Sequence, residues 1–154
     1  MDSGVIRKRG AVCFLGEGQT DCRKIFAIID DLLLNKFNAF IFSADTLFCL
    51  ECARQVILRK KKQRGNTTDK IKLLGVIPFE DHINRRSENF RDEYFEVLEN
   101  CDDVIVFDNK DSFIESDFSE FILNKSSILI CPEKGSEYEK LYAQAMGIKI
   151  IGMS

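Results

Sequence analysis

The chain has 154 residues, of which 45% are hydrophobic and 31% charged, proportions that are ordinary for a folded water-soluble domain. Its net charge of −3 argues against general binding to nucleic acid, which needs a basic surface to displace counterions. Its apolar runs stay well short of the roughly 20 residues that a bilayer-spanning helix needs, so no membrane partner is predicted either.

Short apolar runs of strand length alternate with helical patterns along the sequence. The first run, residues 11–15, ends in a turn with two glycines, and Thr20 or Asp21 can cap the helix that follows. Another run, residues 71–77, stops at Pro78, which has no N–H to donate to a central strand ladder. The other predicted strands are residues 39–42, 104–107, 127–131 and 148–153.

Helices are predicted in the segments between these strands. Residues 43–46 are typical of a helix start, a third helix surrounds residues 90–98, and Phe118 with Ile122 indicates a short fourth helix. The basic run over residues 59–64 ends the second helix and is interpreted as a solvated surface. A final helix over residues 136–146 is expected to stop at Gly147.

Strands that alternate with helices predict right-handed crossovers and a sheet covered on both faces. We therefore expect an α/β fold, a Rossmann-like three-layer sandwich with a mostly parallel central sheet, formed by one domain over residues 1–154. In such sheets ligands bind beyond the carboxyl ends of the strands, near the point where the strand order reverses. The candidate site residues are therefore those that follow each strand.

The turn after the first strand reads Gly16-Glu17-Gly18-Gln19. Glycines allow backbone N–H groups to approach an anion, and the following helix start favours negative charge. A plain strand-to-helix turn would also need these glycines, so phosphate contact and a bare turn both stay open. Glu17 would oppose a phosphate unless it turns toward a ribose hydroxyl or toward solvent.

Polar and aromatic residues follow the second and third strands. Ser43 and Asp45 are placed to meet a ligand hydroxyl or amine, although either could instead cap the helix. Phe79 offers an aromatic face and Glu80 a carboxylate. His82, the only histidine, is interpreted as a solvated residue of a polar loop.

The turn after the fifth strand contains Lys134, Gly135 and Ser136 at a helix start, which makes a phosphate contact plausible there. Ser136 and Glu139 also have the spacing of a capping box, in which each side chain satisfies a backbone donor. That spacing favours a structural role for Glu139, and a catalytic role is the alternative.

Six cysteines fit a cytoplasmic location, as does the lack of an apolar secretory stretch in residues 1–9. Cys13 and Cys131 lie among strand residues and are predicted to be buried. Cys49 and Cys52 form a CxxC inside a helix with no second pair nearby, which favours packing over metal or redox chemistry. We predict no metal and no cofactor.

The order of these motifs resembles the SLOG superfamily, in particular its YpsA-like group and, more distantly, the Lonely Guy phosphoribohydrolases, which are lysine-decarboxylase-like in sequence. The resemblance covers residues 11–153. It includes the glycine turn, Ser43-Ala44-Asp45, Val76-Ile77-Pro78-Phe79-Glu80, Asn100 to Val106 with Tyr94 ahead of it, and Pro132-Glu133-Lys134-Gly135-Ser136. It implies a Rossmann-like fold that binds nucleotides or nucleotide-derived ligands.

Departures from the family pattern bear on catalysis. Some superfamily members cleave N-glycosidic bonds of nucleoside monophosphates, and others are ligand-sensing domains. The sequence from Gly135 to Glu139 matches the last part of Pro-Gly-Gly-x-Gly-Thr-x-x-Glu of the Lonely Guy enzymes, but Pro132 and Glu133 replace its two earlier glycines. Leu47 and Cys49 likewise replace the glycine and the carboxylate of a Gly-Phe-Asp that is usual in YpsA-like members.

Three functions follow from these observations. The first is binding of a nucleoside monophosphate or an ADP-ribose-like ligand, with phosphate on the two glycine turns, the sugar on Ser43 and Asp45, and the base against Phe79. The second is an N-glycosidase in which Glu139 stabilises charge on the ribose or positions water. The third is a protein-interaction module that retains the fold without a ligand. A homodimer through helices stays open, since no apolar stripe identifies an interface.

Overall fold

The computed structural model describes residues 10–19, 21–63 and 70–153. In these residues six parallel strands form one sheet: β1 (Ala11–Phe14), β2 (Ala39–Ser43), β3 (Lys72–Phe79), β4 (Asp103–Asp108), β5 (Ser126–Pro132) and β6 (Lys149–Met153). They alternate with α1 (Cys22–Leu34), α2 (Leu47–Lys62), α3 (Glu88–Glu99), α4 (Glu115–Leu123) and α5 (Glu137–Ala145), and a 3-10 helix (His82–Arg85) precedes α3. The predicted fold, an α/β Rossmann-like three-layer sandwich, is confirmed, and the sheet is entirely parallel.

The strand order is β4-β3-β2-β1-β5-β6. The chain therefore builds the sheet outward from β1 to β4 and then crosses to the other side of β1 to add β5 and β6. The strand order reverses between β1 and β5. This reversal is where open α/β sheets form their ligand crevice.

Each face of the sheet has its own apolar core. Helices α1, α2 and α3 cover one face, where Phe14 stacks on Phe40 at 6.1 Å between ring centroids. Helices α4 and α5 cover the other face, where Cys13 and Leu129 pack against Ile122. On α1, Ile25, Ile29 and Leu32 stand at helical spacing and are buried against this face. Phe26 is 38% exposed, and the Arg59 guanidinium lies 3.8 Å from its ring centroid.

Strand β3 continues through Pro78 to Phe79, so the prediction that Pro78 ends it is wrong. The Val76 carbonyl accepts a hydrogen bond from Ala44 N, which places Val76 and, two residues on, Pro78 toward β2. The β2 ladder has already ended at Ser43, opposite Val76. At Pro78 there is therefore no β2 partner to bond with, so its lack of an N–H costs no hydrogen bond and β3 can extend beyond β2.

Helix ends follow the predicted signals at several points. Asp21 caps α1 by accepting from Arg23 N at 2.9 Å, while the alternative cap, Thr20, lies outside the described residues. Ser87 caps α3, and Gly147, with a φ of 75°, follows the end of α5 as predicted. Of the basic run, residues 59–62 form the last turn of α2, whereas residues 64–69 and 1–9 lie outside the described ranges.

Among the described helices, none combines the length and the apolarity that crossing a membrane requires.

Candidate functional site

The loops that leave β1 and β5 meet at the point where the strand order reverses. We call residues 16–19 and 132–136 together the glycine crevice. Gly16 has a φ of 103°, and a Cβ placed on it would overlap Ser136 Oγ and lie 2.8 Å from Pro132 Cδ. Only glycine satisfies both the backbone conformation and this close approach. The two predicted turns are therefore in direct contact.

A crevice of about 290 Å³ opens beside this contact. It is lined by Gly18, Gln19, Pro132, Glu133, Lys134 and Met153. Within the described ranges, the N–H groups of Glu17, Gly18 and Gln19 donate to no protein acceptor, and all three residues are exposed. Within the described residues these donors are therefore unpaired, and they lie in an exposed turn beside the crevice.

The outer wall of the crevice is fixed by hydrogen bonds. Glu133 N donates to the Met153 carbonyl at 2.6 Å, and Lys140 Nζ donates to the Glu133 carbonyl. Lys134 and Gly135 follow on the exposed part of this loop. Lys134 is thus the cation that the predicted phosphate contact would use. The exposed carboxylates of Glu17 and Glu133 oppose it, because they repel a negatively charged ligand.

The predicted capping box at the start of α5 is absent. Ser136 has a left-handed backbone, with a φ of 61°, and its side chain makes no cap hydrogen bond because the hydroxyl faces Gly16. Glu139 instead accepts a hydrogen bond at 2.9 Å from Ser119 Oγ of α4, a residue that is only 4% exposed. The carboxylate of Glu139 is therefore held between α4 and α5 rather than at the helix end.

Thr46 connects the β2 loop to the glycine crevice. Its Oγ1 accepts from Cys49 N at 3.2 Å, which makes Thr46 the N-cap of α2, and it donates to the Gly16 carbonyl at 2.7 Å. The interpretation of Ser43 or Asp45 as the cap is therefore wrong. Ser43 is 4% exposed at the end of β2. Thr46 was not among the predicted site residues.

Asp45 lies in a second group of side chains, which we call the Asp45 cluster: Asp45, His82, Arg86 and Tyr94. Asp45 Oδ1 is 3.3 Å from His82 Nδ1 and 3.2 Å from Arg86 Nη1. His82 Nε2 lies 3.4 Å from Tyr94 Oη. The side chain of His82 is 4% exposed, so the prediction of a solvated histidine is wrong: the 3-10 helix turns it inward against Asp45 and Tyr94.

Phe79 and Glu80 lie farther from the crevice. The ring of Phe79 contacts Phe113 at 5.4 Å and His82 at 6.0 Å between centroids, so it already packs within an aromatic group. Glu80 is exposed and lines a separate depression of about 490 Å³ with Asp108. Because β3 is two strands from β1, about 10 Å at the usual strand spacing, both residues flank the site rather than line the glycine crevice.

The cysteines of the CxxC are buried. Cys49 and Cys52 are 0% exposed, and Cys49 Sγ donates to the Phe14 carbonyl at 3.3 Å. Burial raises the pKa of the Cys49 thiol to about 12 and that of Cys52 well above its usual range. Cys13 and Cys131 are buried as predicted. The described residues contain no group of three His, Cys, Asp or Glu side chains arranged for a metal ion.

No protein-family model matches the chain, and no curated protein matches its sequence. The resemblance to the SLOG superfamily therefore stays a prediction.

The structure brings some of the predicted residues together. Seven of them lie together where the strand order reverses: Gly16, Glu17, Gly18, Gln19, Lys134, Gly135 and Ser136. Ser43 ends the neighbouring strand β2, and Asp45 follows it. Glu139 turns toward α4. Sequence inspection missed Arg86, which contacts Asp45 from 41 positions away, and the contact of Tyr94 with His82. Neither contact has a local sequence signal.

Proposed function

We propose that the chain binds a nucleotide or nucleotide-derived ligand, a nucleoside monophosphate or an ADP-ribose-like molecule, at the carboxyl end of the sheet. The proposal depends chiefly on the contact between the β1 and β5 loops at the reversal of strand order. Open α/β sheets bind their ligands at this point, and the proposed SLOG-type membership agrees with it.

The phosphate would lie on the glycine crevice. The free N–H groups of Glu17, Gly18 and Gln19 and the start of α5 both favour negative charge. Lys134 supplies the nearby cation, and the sugar would extend toward Ser43 and Asp45. Because the ring of Phe79 already packs against Phe113, Phe79 would contact the base only with the remaining edge of its ring.

The direct test combines native mass spectrometry of the purified protein with thermal shift against nucleoside monophosphates, NAD and ADP-ribose. A co-purifying or stabilising nucleotide is the expected result. Lys134→Glu should remove most of that stabilisation, because it places a carboxylate beside the phosphate. Lys149→Glu makes the same charge change at the amino end of β6 and should preserve it. No stabilisation by any nucleotide would overturn the proposal.

A second candidate is the N-glycosidase, in which Glu139 would have to turn from Ser119 toward the ribose. The capping box that would have explained Glu139 is not formed, and Ser119 holds the carboxylate in one orientation. Release of free base from a nucleoside monophosphate, abolished in a folded Glu139→Gln variant, would support this activity. Unchanged base release in Glu139→Gln would exclude a catalytic role for Glu139, and no base release by the wild type would exclude the activity.

Side chains such as Leu47 or Glu133 filling the crevice would favour the protein-interaction alternative. Leu47 is 57% exposed and Glu133 is also exposed, so neither occupies it. Pro132 does pack against Gly16 and Gly18, but space remains beside Lys134. Ligand binding is therefore the better supported function.

A further inference from the structure

The two edge strands of the sheet present different surfaces. In the described part of the chain, β4 has a neighbour only on its β3 side, and β6 only on its β5 side. On β6, Lys149 and Gly152 are exposed, and lysine or glycine on an edge strand discourages pairing with another strand. On β4, the exposed apolar residues are Val104 and Val106, which are 37% and 48% exposed. The edge of β4 is therefore the less protected of the two.

The side chains of Val104 and Val106 lie on the face of the sheet that α3 covers. Val104 pairs with Gly75 of β3, and a Cβ on Gly75 would lie 3.1 Å from Leu98 of α3. Phe95 is three residues earlier on α3, which places it beside Leu98 on the helix surface, and it is 57% exposed. Phe95, Val104 and Val106 thus form an apolar surface along the sheet edge, which we call the β4 patch.

The backbone groups of the same two valines point away from the sheet. The Val76 carbonyl accepts a hydrogen bond from the segment after β2, so Val76 points away from β4. Of two residues opposite each other in a parallel pair, only one bonds to the other strand, and opposite Val76 this is Ile105. Backbone direction alternates along a strand, so Val104 and Val106 point outward. Val104 N donates to the side chain of Asp103, which agrees with this direction.

This arrangement is symmetrical about Ile105. If β4 of a second copy lies antiparallel beside it, with the two Ile105 residues opposite each other, Val104 of each copy lies opposite Val106 of the other. These outward-pointing valines can then exchange both hydrogen bonds. The two-fold axis is perpendicular to the sheet, so four valine side chains and two Phe95 rings meet on one face. A shift by one residue would place outward-pointing groups opposite groups that already bond to β3.

The charged residues around the patch are compatible with this pairing. Asp108 of one copy lies opposite Asp102 of the other, whose carboxylate already accepts from Lys60 Nζ. Lys110 and Glu99 are exposed on opposite sides of the symmetry axis, so the symmetry brings these unlike charges toward each other twice.

We propose that the β4 edge and the β4 patch bind a second copy of this chain, through antiparallel pairing of the two β4 strands centred on Ile105. Six paired residues extend about 20 Å, and a strand with its helix layer is about as thick, which gives roughly 400 Å² buried per copy. Stable interfaces bury about 800 Å² per partner, so the dimer is weak and reversible. It is independent of the proposed nucleotide function, because β4 is three strands from β1 and both glycine crevices stay open.

The first test is sedimentation velocity of the full chain over a concentration series up to about 1 mM. We expect a reversible monomer–dimer equilibrium for the wild type. Val106→Lys should weaken it at least about tenfold, because it places two charges in the apolar centre of the interface. Leu141→Lys makes the same kind of change at a residue of α5 that is 66% exposed, and should leave the equilibrium unchanged. A wild type that stays monomeric, or a Val106→Lys variant that associates like the wild type, would overturn the proposal.

The second test examines the register by oxidative cross-linking of single cysteine variants, with the wild type as background for its own six cysteines. In the proposed pairing the two Ile105 Cα atoms are about 4.5 Å apart, a distance that a disulfide can bridge. The two Val104 residues are diagonal neighbours and lie farther apart. Ile105→Cys should therefore form a covalent dimer, and Val104→Cys should form no more than the wild type does. Cross-linking of Val104→Cys alone, or of neither variant, would contradict pairing centred on Ile105.

Discussion

The glycine crevice and the Asp45 cluster lie close together at the carboxyl end of the sheet but are built from different groups. The crevice is built from backbone: Gly16 has a φ of 103° and no space for a Cβ, and the side chains of Glu17, Gln19 and Lys134 are exposed. The Asp45 cluster is built from side chains, and His82 and Tyr94 in it are 7% and 3% exposed.

This difference explains which part of the site was visible in the sequence. A backbone-built turn requires glycine at fixed places next to a strand, so its residues form a local pattern. A side-chain cluster joins residues that are far apart in the chain, such as Arg86 and Asp45 with a separation of 41 positions, and leaves no such pattern. The two regions should accordingly respond to different kinds of substitution.

The largest expected effect follows from Gly16→Ala, which breaks the backbone-built region. The added Cβ meets Ser136 Oγ and Pro132 Cδ, and the φ of 103° is unfavourable for any residue with a Cβ. Strain and overpacking together should lower the unfolding free energy by about 3 kcal/mol. Urea denaturation monitored by circular dichroism measures this change.

Gly135→Ala is the matched control for that substitution. Gly135 also has a positive φ, of 86°, but nothing lies within 4 Å of an added Cβ. It should cost only about 1 kcal/mol, from backbone conformation alone. Equal losses for both variants would mean that the contact between the β1 and β5 loops contributes nothing beyond glycine's conformational freedom.

Much of the fold could be predicted because apolar strands and capped helices are local signals. All six strands occur within two residues of their predicted bounds, and the weakly patterned α4 is present. The prediction at Pro78 was wrong because it depends on where the neighbouring strand β2 ends. Only a strand that continued beside Pro78 would need the N–H that proline lacks, and the residues around Pro78 do not show this.

The candidate site was predictable only in part, and the failures share a physical reason. Ser136 and Glu139 have capping-box spacing, but the close approach of Gly16 holds Ser136 in a left-handed conformation from which it does not cap. Similarly, a histidine in a polar segment is usually solvated, but His82 finds Asp45 and Tyr94 across two other elements. Tertiary contacts decided both outcomes.

A smaller effect is expected from Thr46→Val, which removes the hydrogen bond between the β2 loop and the glycine crevice and changes no residue of the crevice or of the Asp45 cluster. The variant loses the cap on Cys49 N and the hydrogen bond to the Gly16 carbonyl. We expect a loss of about 1.5 kcal/mol in unfolding free energy, and faster hydrogen exchange in residues 16–19. Thr46→Ser keeps the hydroxyl and should stay near the wild type. Unchanged exchange in Thr46→Val would show that the crevice does not depend on the β2 loop.

The smallest effect concerns a side-chain contact at the opposite, amino end of the sheet, where charge can be varied with pH. Asp102 Oδ2 accepts from Lys60 Nζ at 2.5 Å and from Leu73 N at 2.7 Å. Partial burial opposes ionisation, but these two donors outweigh it and hold the pKa of Asp102 below its ordinary value. A lowered folded-state pKa stabilises the protein above the unfolded-state pKa, near pH 4, and this contribution is lost as the pH falls through the folded value.

Asp102→Asn should therefore lower the unfolding free energy by about 1 kcal/mol at pH 6, a modest amount because the side chain is 35% exposed. The difference from the wild type should shrink as the pH falls below about 4. Asp103→Asn is the control, since its bond to Val104 N needs only an oxygen acceptor, and it should leave the urea midpoint unchanged at both pH values. A deficit in Asp102→Asn that is constant with pH would mean that the carboxylate acts as a hydrogen-bond acceptor without its charge.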